Sequence, residues 1–178
     1  FTVQLGKAQE AGADILFLPI YYDPASLILT QANGMGYKPT FFGVDGMDGI
    51  LDLEGFDTNL AEGVLLLTPF TPYSEDAKVQ EFVKAYEDAY GETPIQFAAD
   101  AYDCVYAIYN EMKEEIEEGK EIPVTISASD LCDILKDKFA NGFTYSGVTG
   151  DNIKWQANGY VDKGAIMYVI KETTADEK

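Results

Sequence analysis

Over the first seventy residues short apolar runs alternate with stretches of helical period, the arrangement that builds strand–helix–strand units. Asp14 to Ile20 is a continuous apolar run of strand length and predicts a strand covered on both faces. Asp23-Pro24 predicts a helix start, with Asp23 as cap and Pro24 in the first turn position, running to about Ala32 before Gly34 and Gly36. Thr40 to Val44 predicts a second buried strand, Asp45 to Glu62 a polar glycine-rich stretch, and Gly63 to Pro69 a third strand. From Ser74 the period turns helical, with Val79, Phe82, Val83, Tyr86 and Tyr90 in one stripe, Ser74 as cap and Gly91 as stop. After a break at Glu92-Thr93-Pro94, a long helix from about Phe97 to Glu118 is expected to bury Ala101, Cys104, Val105, Ile108 and Met112. A shorter helix over about Ser129 to Ala140 is expected to bury Leu131, Ile134, Leu135 and Phe139 and to stop at Gly142. Lys154 to Ala157 and Ala165 to Lys171, linked through Asn158-Gly159, predict a terminal hairpin. The expected fold class is α/β, a doubly wound, mainly parallel sheet in three layers.

Composition narrows the chemistry. Thirty-one acidic residues face 12 basic ones, a net charge of −19, which repels phosphate backbones and anionic lipid heads. No apolar run approaches the roughly 18 residues of a membrane span. There is no histidine, so imidazole bases, histidine triads and histidine-based zinc sites are all excluded. Two cysteines, Cys104 and Cys132, leave no cysteine-rich metal cluster, and nothing calls for a cofactor. Catalysis would fall to carboxylates, lysine, tyrosine or serine alone, so binding is favoured over an enzyme.

In an open parallel sheet, ligands bind beyond the carboxyl ends of the strands. The three predicted strands deliver Tyr21-Tyr22-Asp23, Asp45-Gly46-Met47-Asp48 and Phe70-Thr71-Pro72-Tyr73 to one edge. Aromatic rings beside carboxylates with no basic residue among them suit a cation, held by charge-assisted hydrogen bonds and a ring face. Each residue also has a plainer reading. Tyr21 and Tyr22 serve equally as packing residues, and Asp45 as the start of an Asx-turn before Gly46. Asp48, Asp52, Glu54 and Asp57 read as a solvated loop whose spacing does not fit an EF-hand. Cys104 and Cys132 fall on apolar helix faces, as buried free thiols or, if the helices pack antiparallel, a disulfide.

Ala11-Gly-Ala-Asp-Ile-Leu-Phe-Leu-Pro-Ile-Tyr-Tyr-Asp-Pro-Ala-Ser, Gly34-Met-Gly-Tyr and Phe42-Gly-Val-Asp-Gly-Met-Asp together resemble the second lobe of type I periplasmic solute-binding proteins. The branched-chain amino-acid receptors of ABC importers are the nearest group. Ala61-Glu-Gly-Val, Phe82-Val-Lys-Ala-Tyr, Ala98-Ala-Asp-Ala-Tyr-Asp and Phe143-Thr-Tyr-Ser-Gly-Val-Thr-Gly continue the likeness in order over nearly the whole chain. The resemblance implies that Tyr21 lines the cleft, that Asp45 takes the ligand's α-ammonium, and that Phe97 stands near the ligand's side chain; Tyr22, beside Tyr21 at the strand end, is a further candidate. It implies a C-terminal fragment of a two-lobed protein about twice as long. Residues 1–94 would belong to the second lobe, 95–148 to helices of the first, and 149–178 to a return to the second. The chain starts at helical spacing (Phe1, Leu5, Ala8), as expected of a piece of something longer.

The partners so implied are a small amino acid, the membrane subunits of an ABC importer and the missing N-terminal lobe. The implied location is extracytoplasmic, in the periplasm or as a lipoprotein. Apolar faces of the first-lobe helices would be exposed, mispacked or covered by another chain, a dimer included. The main alternative is a flavodoxin-like signalling or regulatory domain.

Overall fold

The apolar runs do become strands, and their parallel pairing sets the geometry of one edge. In the computed structural model, which describes residues 1–171, β1 (Ile15–Leu18), β2 (Thr40–Val44) and β3 (Leu65–Thr68) are parallel neighbours. β7 (Ile166–Val169) closes the order β1-β2-β3-β7 by pairing antiparallel with β3. The sheet is thus mixed and mainly parallel, as the α/β class requires. Leu18 stands beside Gly43, and Val44 beside Leu67, so the carboxyl ends of the three parallel strands are level.

Helices α1 (Thr2–Glu10) and α2 (Tyr22–Gly34) share one core with this sheet. Leu5, Ala25, Ile28, Leu29 and Ala32 pack against Leu18 and Leu66, with Leu16, Phe41 and Tyr168 partly buried beside them. Ile15, Phe17, Met167 and Val169 project to the other face and are 57%, 58%, 60% and 47% exposed. The expectation that β1 is covered on both faces is corrected: of three layers, the described residues of this unit build two. α2 also starts earlier than expected. Tyr21 caps it, leaving Asp23 and Pro24 in second and third helical positions. Proline fits there because first-turn N–H groups have no intrahelical partner to lose.

The second unit is helical with a small antiparallel sheet. α3 (Ala77–Tyr90) is capped by the Asp76 carboxylate, which accepts from Lys78 N and Val79 N, rather than by Ser74. Gly91 ends it in the left-handed region, at φ 75°. α4 (Gln96–Glu117) and α5 (Ala128–Ala140, capped by Ser127) follow. β4 (Thr144–Tyr145), β5 (Ile153–Trp155) and β6 (Val161–Asp162) pair in sequence. Asn158-Gly159 does form a turn, but it joins β5 to β6, and Ile166–Val169 returns to the first sheet. The predicted terminal hairpin is corrected accordingly.

Phe70, Val79, Phe82, Val83, Ala99 and Val148 form one core here, and Ala107, Phe143, Tyr145 and Ile153 another. Because α3 shares its core with α4, the compact division falls at 68/69 and 165/166, apart from the lobe boundaries expected near 94 and 148.

α4 inverts the expectation made for it. Its buried residues are Gln96, Ala99, Asp103, Ala107, Glu111 and Glu115, while Val105 is 65% exposed and Ile108, Ala101 and Cys104 are also exposed. Cys104 and Cys132 are both exposed free thiols, so neither the buried nor the disulfide reading holds. On α5, Leu131, Ile134, Leu135 and Phe139 are half-buried only.

Candidate ligand-binding edge

β1 ends at Leu18, and the chain passes through Pro19 and Ile20 to Tyr21, the cap of α2. Tyr21 keeps an extended backbone (φ −78°, ψ 161°), and its carbonyl accepts from Ala25 N. β2 ends at Val44, and Asp45–Met47 folds into a single 3-10 turn in which the Asp45 carbonyl accepts from Asp48 N. Adjacent parallel strands with level ends therefore put Tyr21 and Asp45 on the same rim. Both are exposed, Tyr21 at 65%.

The two segments touch through Gly46. A Cβ there would lie 2.9 Å from the Ile20 carbonyl oxygen and 3.4 Å from Tyr21 Cδ1. Met47 is fully buried and Ile50 nearly so, anchoring the turn into the core beneath. A phenol ring and a carboxylate thus share a solvent-facing rim, and neither Tyr21–Asp23 nor Asp45–Asp48 contains a basic residue. That pair can accept hydrogen bonds from an ammonium group and offer it a ring face.

The other expected residues divide. Tyr22 begins α2 half-buried against the core, where its ring packs. Phe97 stands half-buried in the first turn of α4, in the second unit. Phe70 is corrected from a rim residue to a core one: it is 1% exposed and meets Phe82 edge to face at 5.9 Å. Tyr73 is 86% exposed, in the second unit.

Two polar clusters escaped the sequence reading, both on the buried stripe of α4. The Asp103 carboxylate accepts from Tyr145 Oη (3.1 Å), Val148 N (2.9 Å), Thr149 N (2.8 Å) and Thr149 Oγ1 (2.6 Å). Burial first, then the Asp103 charge, pushes the Tyr145 phenol well above its ordinary value. Further along, Glu115 is ion-paired with Lys120 and Lys138, and Lys138 also with Glu118. Hydrogen bonds from those lysines hold the Glu115 carboxyl below its usual range. The available signal was an acidic side chain every fourth residue from Asp103, interrupted only by Ala107, on the face opposite the apolar stripe. Two cavities, about 380 Å³ beside Glu115 and Lys138 and about 310 Å³ beside Phe82 and Tyr102, lie among second-unit residues.

A mainly parallel α/β sheet with an open rim at its strand ends is an arrangement in which ligands commonly bind. The model of the periplasmic binding protein family matches residues 1–174, and the chain belongs to that family. It is 31% identical over 146 residues to the Leu/Ile/Val-binding protein homolog 8 of Brucella abortus, 77% of this chain and 35% of the relative. It is 35% identical over 91 residues to homolog 7 of the same organism, 48% of this chain and 23% of the relative. Among solved structures, the branched-chain amino acid transporter substrate binding protein LivJ of Streptococcus pneumoniae, in complex with isoleucine, superposes with a TM-score of 0.73. Its identity is 27%, over 96% of this chain and 45% of that one. The leucine binding protein LivK of Thermotoga maritima shares the fold at the same TM-score and 21% identity, over 96% of this chain and 45% of that one. The chain therefore spans less than half the length of these relatives. The flavodoxin-like alternative falls behind this family.

Proposed function

We propose that this chain is part of an extracytoplasmic substrate-binding protein that captures an amino acid for an ABC importer. The observation that carries the reading is the shared rim of Tyr21 and Asp45 at level ends of β1 and β2. Asp45 takes the α-ammonium and Tyr21 covers it with a ring face. The named ligands of the relatives, isoleucine and the Leu/Ile/Val group, make a branched-chain amino acid the first candidate.

The two compact units correspond to portions of two lobes, residues 1–68 with the strand from 166 in the second lobe and 69–165 in the first. Tyr102, Val105, Tyr106, Ile108, Tyr109 and Ile116 form an exposed apolar stripe along α4. The rest of the first lobe, outside these residues, covers it; self-association of the isolated chain is the competing outcome. Recognition, with no chemical step, is the task. Ligand selects a closed arrangement of the lobes, which the importer's membrane subunits read.

Capture at micromolar concentration needs about 8 kcal/mol. One ammonium–carboxylate contact and one ring supply only a share of that, so the isolated chain should bind weakly or not at all. Calorimetry on the full-length protein with leucine, isoleucine and valine tests the reading. Asp45→Asn is expected to weaken binding at least tenfold, about 1.4 kcal/mol. Unchanged affinity in that variant would sink the assignment.

A further inference from the structure

We infer that Gly46 is a positioning residue of the amine site, a reading that rests on the proposed roles of Tyr21 and Asp45. The absence of a side chain at 46 lets the turn that carries Asp45 press against the junction that carries Tyr21. A methyl group at 46 would sit 2.9 Å from the Ile20 carbonyl oxygen, 3.3 Å from its carbon and 3.4 Å from Tyr21 Cδ1. The first of these is closer than van der Waals contact allows, and the obstacle is main chain, which cannot swing aside as a side chain can.

Neither side has room to yield. Ile20 directly precedes the cap of α2, and β1 is paired with β2 along all four of its residues. The Asp45 turn is held from beneath by Met47, fully buried and lying over Gly43, where any side chain would overlap its sulfur. Leu66 Cδ1 closes the same spot at 3.2 Å. Asp45 is thus fixed between a glycine contact toward β1 and a methionine anchor toward β3. The spacing of the two backbone segments that carry carboxylate and phenol is set before any ligand arrives, so binding does not have to order the turn. A methyl at 46 wedges that spacing open.

The test uses the full-length protein carrying Gly46→Ala, Asp45→Asn, and both together. Calorimetry is combined with the ring resonance of Tyr21 in selectively tyrosine-labelled protein. Gly46→Ala is expected to weaken amino-acid binding about tenfold, a shift of 1.4 kcal/mol. It is also expected to displace the Tyr21 resonance. In the Asp45→Asn background its effect on affinity should shrink, because part of it acts through Asp45; a merely structural role would give additive losses. Additive losses, or an affinity and ring resonance that Gly46→Ala leaves unmoved, overturn the inference. A wild-type protein that binds no amino acid instead sinks the amine reading itself. The ring resonance then still reports whether residue 46 sets the Tyr21 position.

Discussion

Replacing Asp103 by alanine is expected to cost about 3–5 kcal/mol of unfolding free energy, lowering the urea midpoint of the second unit more than any other single truncation on α4. The side chain is 5% exposed and accepts four hydrogen bonds, two on each oxygen. Its donors are fixed to a loop with no room to rearrange. A Cβ at Gly147 would overlap both the Asp103 carboxylate and the Tyr145 ring. Thr149, 2% exposed, would be left with an unsatisfied amide and a hydroxyl proton without its acceptor, its oxygen keeping only the bond from Lys163 Nζ, and Val148 with an unsatisfied amide. Each stranded donor costs about 1–3 kcal/mol, less whatever water recovers. Asp103→Asn keeps one acceptor oxygen and should lose roughly half as much. An Asp103→Ala midpoint within experimental error of the unaltered protein would show that the 146–150 loop is held by something else.

That same aspartate marks where sequence reasoning stops working. Thr40–Val44 was legible to the residue because four apolar or β-branched residues and Gly43 fill the stretch between Pro39 and Asp45. The rim of Tyr21 and Asp45 was legible too, because neighbouring parallel strands deliver the residues that follow them to one edge of the sheet. α4 was legible as a helix but not in its orientation. Periodicity finds an apolar stripe, and Val105, Ile108 and Met112 make one, yet it does not say which way the stripe points. Here Asp103 and Glu115 are buried because a loop and two lysines satisfy them. Apart from Lys120, five residues from Glu115, those partners lie as far as 46 residues away along the chain, beyond any local pattern. Phe70 failed for a related reason: its place after β3 made it a rim residue, while the ring of Phe82 drew it into a core. The bare face of β1 and β7 was hidden because an apolar run reads alike whether one face or both is covered.

Glu111→Met is expected to stabilise the second unit by about 1–3 kcal/mol at neutral pH, a gain that fades on acidification. Glu111 is 1% exposed, and neither carboxylate oxygen has a hydrogen-bond partner among the described residues. Desolvation chiefly, then the Glu115 charge, raises its pKa from the ordinary 4.5; Lys138 and Lys120 oppose and Glu114 adds to the rise. The folded state therefore holds a proton that the unfolded chain has released once the pH passes about 4.5, and stability falls as pH rises through that window. Glu115 runs the other way. Its carboxyl is lowered by Lys120 and Lys138, so its contribution is present above 4.5 and is lost as pH falls through its folded value. The two neighbours thus act on opposite sides of the same pH. Chemical denaturation from pH 4 to 8 should show the variant and the unaltered protein converging at the acid end and separating above it. Parallel curves would mean that Glu111 titrates as it does in the unfolded chain, and a variant less stable at pH 7 would mean that its carboxylate has a partner the geometry does not supply.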